Sequence, residues 1–114
     1  MSIGILGLPQ GGTSDAVLLL KASNPAHKPV LLTMPGILLP DGRTMSFVFP
    51  KSHVTFPFEL KAEHACTIWD DVKRLAGQLR TEGFRGTIKL KGFYDDAVGR
   101  RHFSKTQKFN LDAW

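Results

Sequence analysis

The segment ILLPDGRTMSFVF, residues 37–49, is the clearest indication of the fold class. Two apolar runs flank Pro40-Asp41-Gly42-Arg43, and an Asp-Gly pair between apolar runs is the strongest short-range signal for a β-hairpin. Similar short apolar runs occur at 16–23 and 30–34, each bounded by turn-forming residues, and residues 87–91 alternate polar and apolar, the pattern of a half-buried strand. Runs of this length between glycine, proline and aspartate are typical of strands. The sequence therefore predicts a mainly-β chain, in which Pro35-Gly36 ends one strand.

One later segment has the period of a helix. Four apolar residues recur at i, i+3, i+4 and i+7 and form a single stripe: Val72, Leu75, Ala76 and Leu79. We expect Asp70 to cap the first turn and Gly83 to follow the last one, which places one amphipathic helix at about 70–82. The preceding run Cys66-Thr67-Ile68-Trp69 is predicted to be a strand that enters this helix.

Length and composition indicate a single folded domain. The chain has 114 residues, of which 42% are hydrophobic, and this is enough to bury one core. Residues 1–15, rich in glycine, are interpreted as a flexible leader or a short edge strand, and 16–114 as one β-sandwich domain. The predicted core consists of Val17, Leu19, Leu32, Ile37, Phe47, Leu60, Trp69, Leu75, Leu79, Ile88, Leu90, Phe93, Phe103, Phe109 and Leu111, with Trp114 closing one end.

Several classes of protein are excluded by composition. Cys66 is the only cysteine, so an internal disulfide and a cysteine-rich zinc site are impossible. No apolar run approaches the roughly 20 residues of a transmembrane helix, and no signal peptide is recognisable. We therefore expect a cytoplasmic protein without a membrane span, or an extracytoplasmic one if an upstream anchor has been lost.

The chain carries a formal net charge of +5, which favours acidic partners. The nearest approach to a basic cluster lies in the last third and consists of Arg85, Lys89, Lys91, Arg100, Arg101, Lys105 and Lys108. If these residues lie on adjacent strands, they form a stripe that could bind nucleic acid or another polyanion. The alternative interpretation is a solvated strand face that keeps the protein soluble.

Catalytic and metal-binding arrangements are weakly represented. His64 and Cys66 would share one face of a strand, and with His102 they are the candidates for a small hydrolase or a metal site. Asp70-Asp71 is better explained by helix capping, and Asp95-Asp96 by turn formation. We predict no catalytic residue, no metal and no cofactor.

The chain resembles a group of uncharacterised bacterial immunoglobulin-like β-sandwich domains over about residues 17–114. The matching positions are Val30-Leu31-Leu32-Thr33, Gly36, Asp41-Gly42, Pro57, Leu60, Trp69, Asp71, Leu75, Leu79, Gly83, Gly86, Leu90, Gly92, Phe93, Asp96, Gly99, Arg100, Ser104, Lys105, Phe109 and Asp112-Ala113-Trp114. The resemblance implies an immunoglobulin-like sandwich whose helix bridges two strands, and it implies no chemistry. The chain departs from the group at Lys61-Ala62-Glu63-His64, where a Pro-Gly turn is usual.

Two functions follow as hypotheses, besides the enzyme based on Cys66. The first is a non-catalytic interaction module that binds a protein partner or its own copy through end loops or an edge strand. The alternative is a nucleic-acid or polyanion binder that uses the basic residues between Arg85 and Lys108.

Overall fold

The computed structural model describes residues 2–9, 16–46 and 55–113. In chain order, the elements within these ranges are β1 (Ser2–Pro9), β2 (Ala16–Ser23), β3 (Val30–Leu38), β4 (Thr44–Ser46), β5 (Phe58–Leu60), β6 (Ala65–Asp71), α1 (Val72–Thr81), β7 (Thr87–Asp96), β8 (Arg101–Phe103), β9 (Gln107–Asn110) and a short 3₁₀ helix at Leu111–Ala113.

The strands form two antiparallel sheets. The first has the order β1-β2-β6. The second has the order β4-β3-β7-β8, with β5 also paired to β3 and β9 also paired to β7. Within the described ranges, the prediction of a mainly-β chain with one α-helix is confirmed.

The predicted hairpin is present in its described part, where Leu38 pairs with Thr44 and Gly42 has a φ of 90°. Its later residues 47–49 lie outside the described ranges.

The predicted break at Pro35-Gly36 is wrong, because β3 continues through both residues. Gly36 instead lies opposite Phe93 within the sheet, so this glycine leaves room for a neighbouring ring and does not end the strand.

Both sheets contribute to one core. Leu18, Leu20 and Ile68 of the first sheet belong to the same buried cluster as Leu32 and Leu90 of the second. The Tyr94 hydroxyl, which is buried, donates a hydrogen bond of 2.6 Å to the backbone carbonyl of Leu20. This bond joins the two sheets directly across the core.

Three of the predicted core positions differ in the structure. Leu19 is half-buried, because β2 turns Leu18 and Leu20 inward. Trp69 is also half-buried, since Ile68 occupies the inward position of β6. Phe103 is 46% exposed, because it lies on the outer side of β8. The side chains of Val17, Phe47 and Trp114 lie outside the described ones.

The helix begins later than predicted. Strand β6 continues through Asp71, whose carboxylate accepts a 2.8 Å hydrogen bond from the Lys73 amide and caps the helix. Asp70 is not the cap: its buried carboxylate accepts a bond from the Asp71 amide and pairs with Arg74. Gly83 follows the last turn with a φ of 98°, as predicted.

No helix within the described ranges has the length and apolar character that a bilayer crossing requires.

Candidate functional site

Strand β7 carries the centre of the candidate site. Ile88 and Leu90 are buried, whereas Lys89, which lies between them, and Lys91, which follows Leu90, are exposed. Alternation with a period of two is what a strand imposes when only one of its faces is covered. The two lysines therefore point outward from the second sheet and lie about 7 Å apart along the strand.

Strand β9 adds a third lysine to the same face. Its register places Lys108 directly opposite Lys89, and both side chains are exposed. Directly opposite side chains share a face, with Cβ atoms about 5 Å apart, and like charges in this position are destabilising. Within the described ranges, no carboxylate lies within ion-pair distance of Lys89, Lys91 or Lys108. We refer to these three residues as the lysine face.

An aromatic side chain borders the lysine face. Phe103 on β8 lies opposite Phe93 on β7, and their rings meet in an edge-on arrangement with centroids 6.2 Å apart. The Lys91 ammonium lies 5.9 Å from the centroid of the Phe103 ring. Since Phe103 is 46% exposed and Phe93 is buried, the outer ring is the one that solvent or a ligand can reach.

Phe93 is held in place from two sides. A Cβ built at Gly36 would lie 2.4 Å from the Phe93 Cζ atom, so only glycine accommodates the ring there. The Arg101 guanidinium covers the ring from outside, 4.1 Å from its centroid. The same guanidinium donates two hydrogen bonds, of 2.7 and 3.0 Å, to the Asp95 carboxylate, which raises the pKa of Arg101. The charge of Arg101 is therefore already paired within this surface.

The remaining basic residues of the sequence prediction do not join the lysine face in the same way. Arg85 donates hydrogen bonds to the backbone carbonyls of Arg80 and Phe84, so its guanidinium binds the C-terminal end of the helix. Arg100 is exposed in the turn between β7 and β8. Lys105 is exposed in the short break between β8 and β9, beside Ser104, whose amide donates to the Gly92 carbonyl.

The predicted turn role is found for Asp96. Its carboxylate accepts hydrogen bonds from the Val98 and Arg100 amides and lies 2.8 Å from the His102 Nε2 atom. These bonds favour the charged form and hold the pKa of Asp96 below its ordinary value, with the His102 contact the main cause. The arrangement fixes the β7–β8 turn.

The three residues proposed for an enzyme have separate partners. Cys66 is buried, and burial raises the pKa of its thiol, which disfavours the reactive thiolate. His64 is exposed before β6 begins, with its Nδ1 atom 2.8 Å from the Ala62 carbonyl, whereas His102 lies against Asp96. In the described part of the chain, no three His, Cys, Asp or Glu residues are grouped so that they could hold a metal ion.

Sequence alternation alone indicated the outward direction of Lys89 and Lys91, but it did not identify Phe103. Apolar patterning predicts a core position for Phe103, because it does not reveal that β8 is a short strand at the edge of the sheet. The facing of Lys89 and Lys108 also depends on the β7–β9 register, which no local pattern reveals.

No family model and no curated protein matches the sequence. Among solved structures, the X-ray structure of Northeast Structural Genomics Consortium target SoR45 is similar to this chain, with 11% identity over 95% of this chain and 81% of that one. The TM-score is 0.38, which is too low for an assignment of fold family or function.

Proposed function

We propose that the chain is a non-catalytic, immunoglobulin-like β-sandwich module that binds a polyanion on its lysine face. The observation that carries the proposal is the direct facing of Lys89 and Lys108, with Lys91 beside them and no carboxylate of the described residues within ion-pair distance of any of the three. A bound chain of phosphates relieves the repulsion between these ammonium groups.

The energetics of such a site are those of counterion release. Each phosphate that a lysine neutralises frees condensed counterions, so the affinity falls steeply as salt rises. For three contacts to a single strand, the logarithm of the binding constant should fall by about 2 for each tenfold rise in salt concentration. The overall charge of +5 adds attraction at longer range.

The immunoglobulin-like part of the proposal rests on two antiparallel sheets that share one core, together with the sequence resemblance. Long-range amide contacts measured by NMR across every strand pair would test it. A strand order different from that of an immunoglobulin sandwich would remove this part and leave the lysine face unaffected.

The binding test compares two triple variants by fluorescence anisotropy with labelled single-stranded and duplex oligonucleotides. One variant carries Lys89→Glu, Lys91→Glu and Lys108→Glu. The control carries the same changes at three exposed lysines elsewhere: Lys28, Lys61 and Lys73. Each change removes two units of charge, so both variants go from +5 to −1.

We expect binding to be abolished in the first variant and retained, with a modest loss, in the control. Equal losses in both would show that only the net charge matters. If the wild-type protein binds no polyanion even at low salt, the lysine face is a solvated surface and the proposal is wrong.

A protein partner is a second candidate, because three large apolar side chains are exposed at the other end of the same sheet. Leu31, Met34 and Val98 are 44%, 39% and 83% exposed, and the Ala97 amide beside Val98 donates to the Leu31 carbonyl. If this patch joins two copies, sedimentation equilibrium will detect a dimer that Val98→Asp dissociates. A protein that stays monomeric at high concentration would exclude self-association through the patch.

A further inference from the structure

We infer that the lysine face prefers single-stranded nucleic acid, with one base stacked on the exposed ring of Phe103; this inference rests on the proposed polyanion binding. The aromatic ring distinguishes this surface from a purely basic one. Among the phenylalanine, tyrosine and tryptophan side chains of the described ranges, only that of Phe103 is exposed.

The Phe103 ring is pre-positioned for stacking. It leans edge-on against Phe93, which is itself fixed between Gly36 and the Arg101 guanidinium. A ring whose rotation is already restricted loses little conformational freedom when a ligand binds. Base–aromatic stacking tolerates any sequence, because every base has a flat face.

Charge and ring are close enough for one ligand to use both. The Lys91 ammonium lies 5.9 Å from the centre of the Phe103 ring, and Lys89 and Lys108 continue the positive surface along β7 and β9. A base on Phe103 therefore brings the neighbouring phosphates over the lysines. Stacking platforms beside a positive track are the usual construction of single-strand binding surfaces.

Duplex DNA or RNA gains less from this arrangement. The bases of a duplex are stacked on one another and paired, so their faces are not available to Phe103. The elements that carry the candidate site are strands of a single sheet, which offers phosphate contacts to a duplex and no helix for its major groove. The lysines attract both forms, and the ring discriminates between them.

The test uses the full chain and three labelled ligands: an oligothymidylate, an abasic strand of the same length, and a hairpin duplex. The abasic strand has the same phosphates and no bases, so it isolates the stacking contribution. Each ligand is titrated with the wild-type protein, Phe103→Leu and Phe103→Trp at equal salt. The melting temperature of each variant shows whether it is folded.

We expect the wild-type protein to bind oligothymidylate about tenfold more tightly than the abasic strand. In Phe103→Leu this difference should disappear, with the salt dependence unchanged, whereas Phe103→Trp should keep it. If the wild-type protein binds all three ligands equally, the stacking inference is wrong and the polyanion proposal stands. If it binds none of them, the polyanion proposal itself fails. The wild-type comparison and Phe103→Trp decide the question even if Phe103→Leu is unstable.

Discussion

At the scale of single residues, the lack of a side chain at Gly36 shapes the candidate site. Its missing Cβ is the space that the Phe93 ring occupies, and Phe93 in turn supports Phe103. The added methyl group would also lie 2.9 Å from the Met45 carbonyl oxygen, which is backbone and has little freedom to move. The position of the outer aromatic ring therefore depends on a residue in a different strand.

We predict that Gly36→Ala lowers the free energy of unfolding by about 1–3 kcal/mol, as expected for overpacking. Gly77→Ala is the matched control, since nothing lies within 4 Å of the added Cβ at that helical position. That control should raise stability by up to about 1 kcal/mol, because alanine is the better helix former. Urea unfolding measures both, and an unaffected Gly36→Ala would show that the sheet relaxes around the ring.

At the level of helices and strands, periodicity predicts the type of element better than it predicts which face of a strand points into the core. The i, i+3, i+4, i+7 stripe gave the helix, and the alternation at 87–91 gave the faces of β7. In β2 the apolar run 17–20 shows no alternation, so the sequence does not indicate which residues point inward. The prediction chose Val17 and Leu19, whereas Leu18 and Leu20 are buried. The predicted helix cap, Asp70, is one residue earlier than the observed cap, Asp71. The sequence could not distinguish them, because two adjacent aspartates offer the same capping chemistry.

The two aspartates can be separated by substitution. Asp71→Ala should lower the free energy of unfolding by about 1 kcal/mol, because the Lys73 amide loses its acceptor. Asp71→Asn keeps a capping oxygen and should be nearly neutral. Thermal unfolding of the two variants measures the difference, and equal stabilities would show that the Asp71 cap contributes nothing.

At the scale of the whole molecule, Tyr94 couples the two sheets. It is the only tyrosine of the chain, and its buried hydroxyl donates to Leu20 of the opposite sheet. Burial disfavours the charged phenolate and raises the pKa of Tyr94 far above its ordinary value. Local patterns cannot predict such a contact, because the two residues are 74 positions apart in the sequence.

This shift makes stability depend on alkaline pH. The folded protein keeps the phenolic proton, whereas the unfolded chain releases it above about pH 10, so the free energy of unfolding falls as the pH rises further. Tyr94→Phe should cost about 1 kcal/mol near neutrality and should then lose stability less steeply above pH 10. Urea unfolding at about pH 8 and about pH 11 tests this, and parallel losses in both proteins would contradict it.

We propose above that the outer face of β7, β8 and β9 is a binding surface. The most direct test is to titrate isotope-labelled protein with oligothymidylate and follow its amide NMR signals. We predict that the largest shifts map to Lys89, Lys91, Phe103 and Lys108, with the helix at Val72–Thr81 unaffected. Shifts concentrated on another surface, or no shifts at low salt, would show that the lysine face does not bind the oligonucleotide.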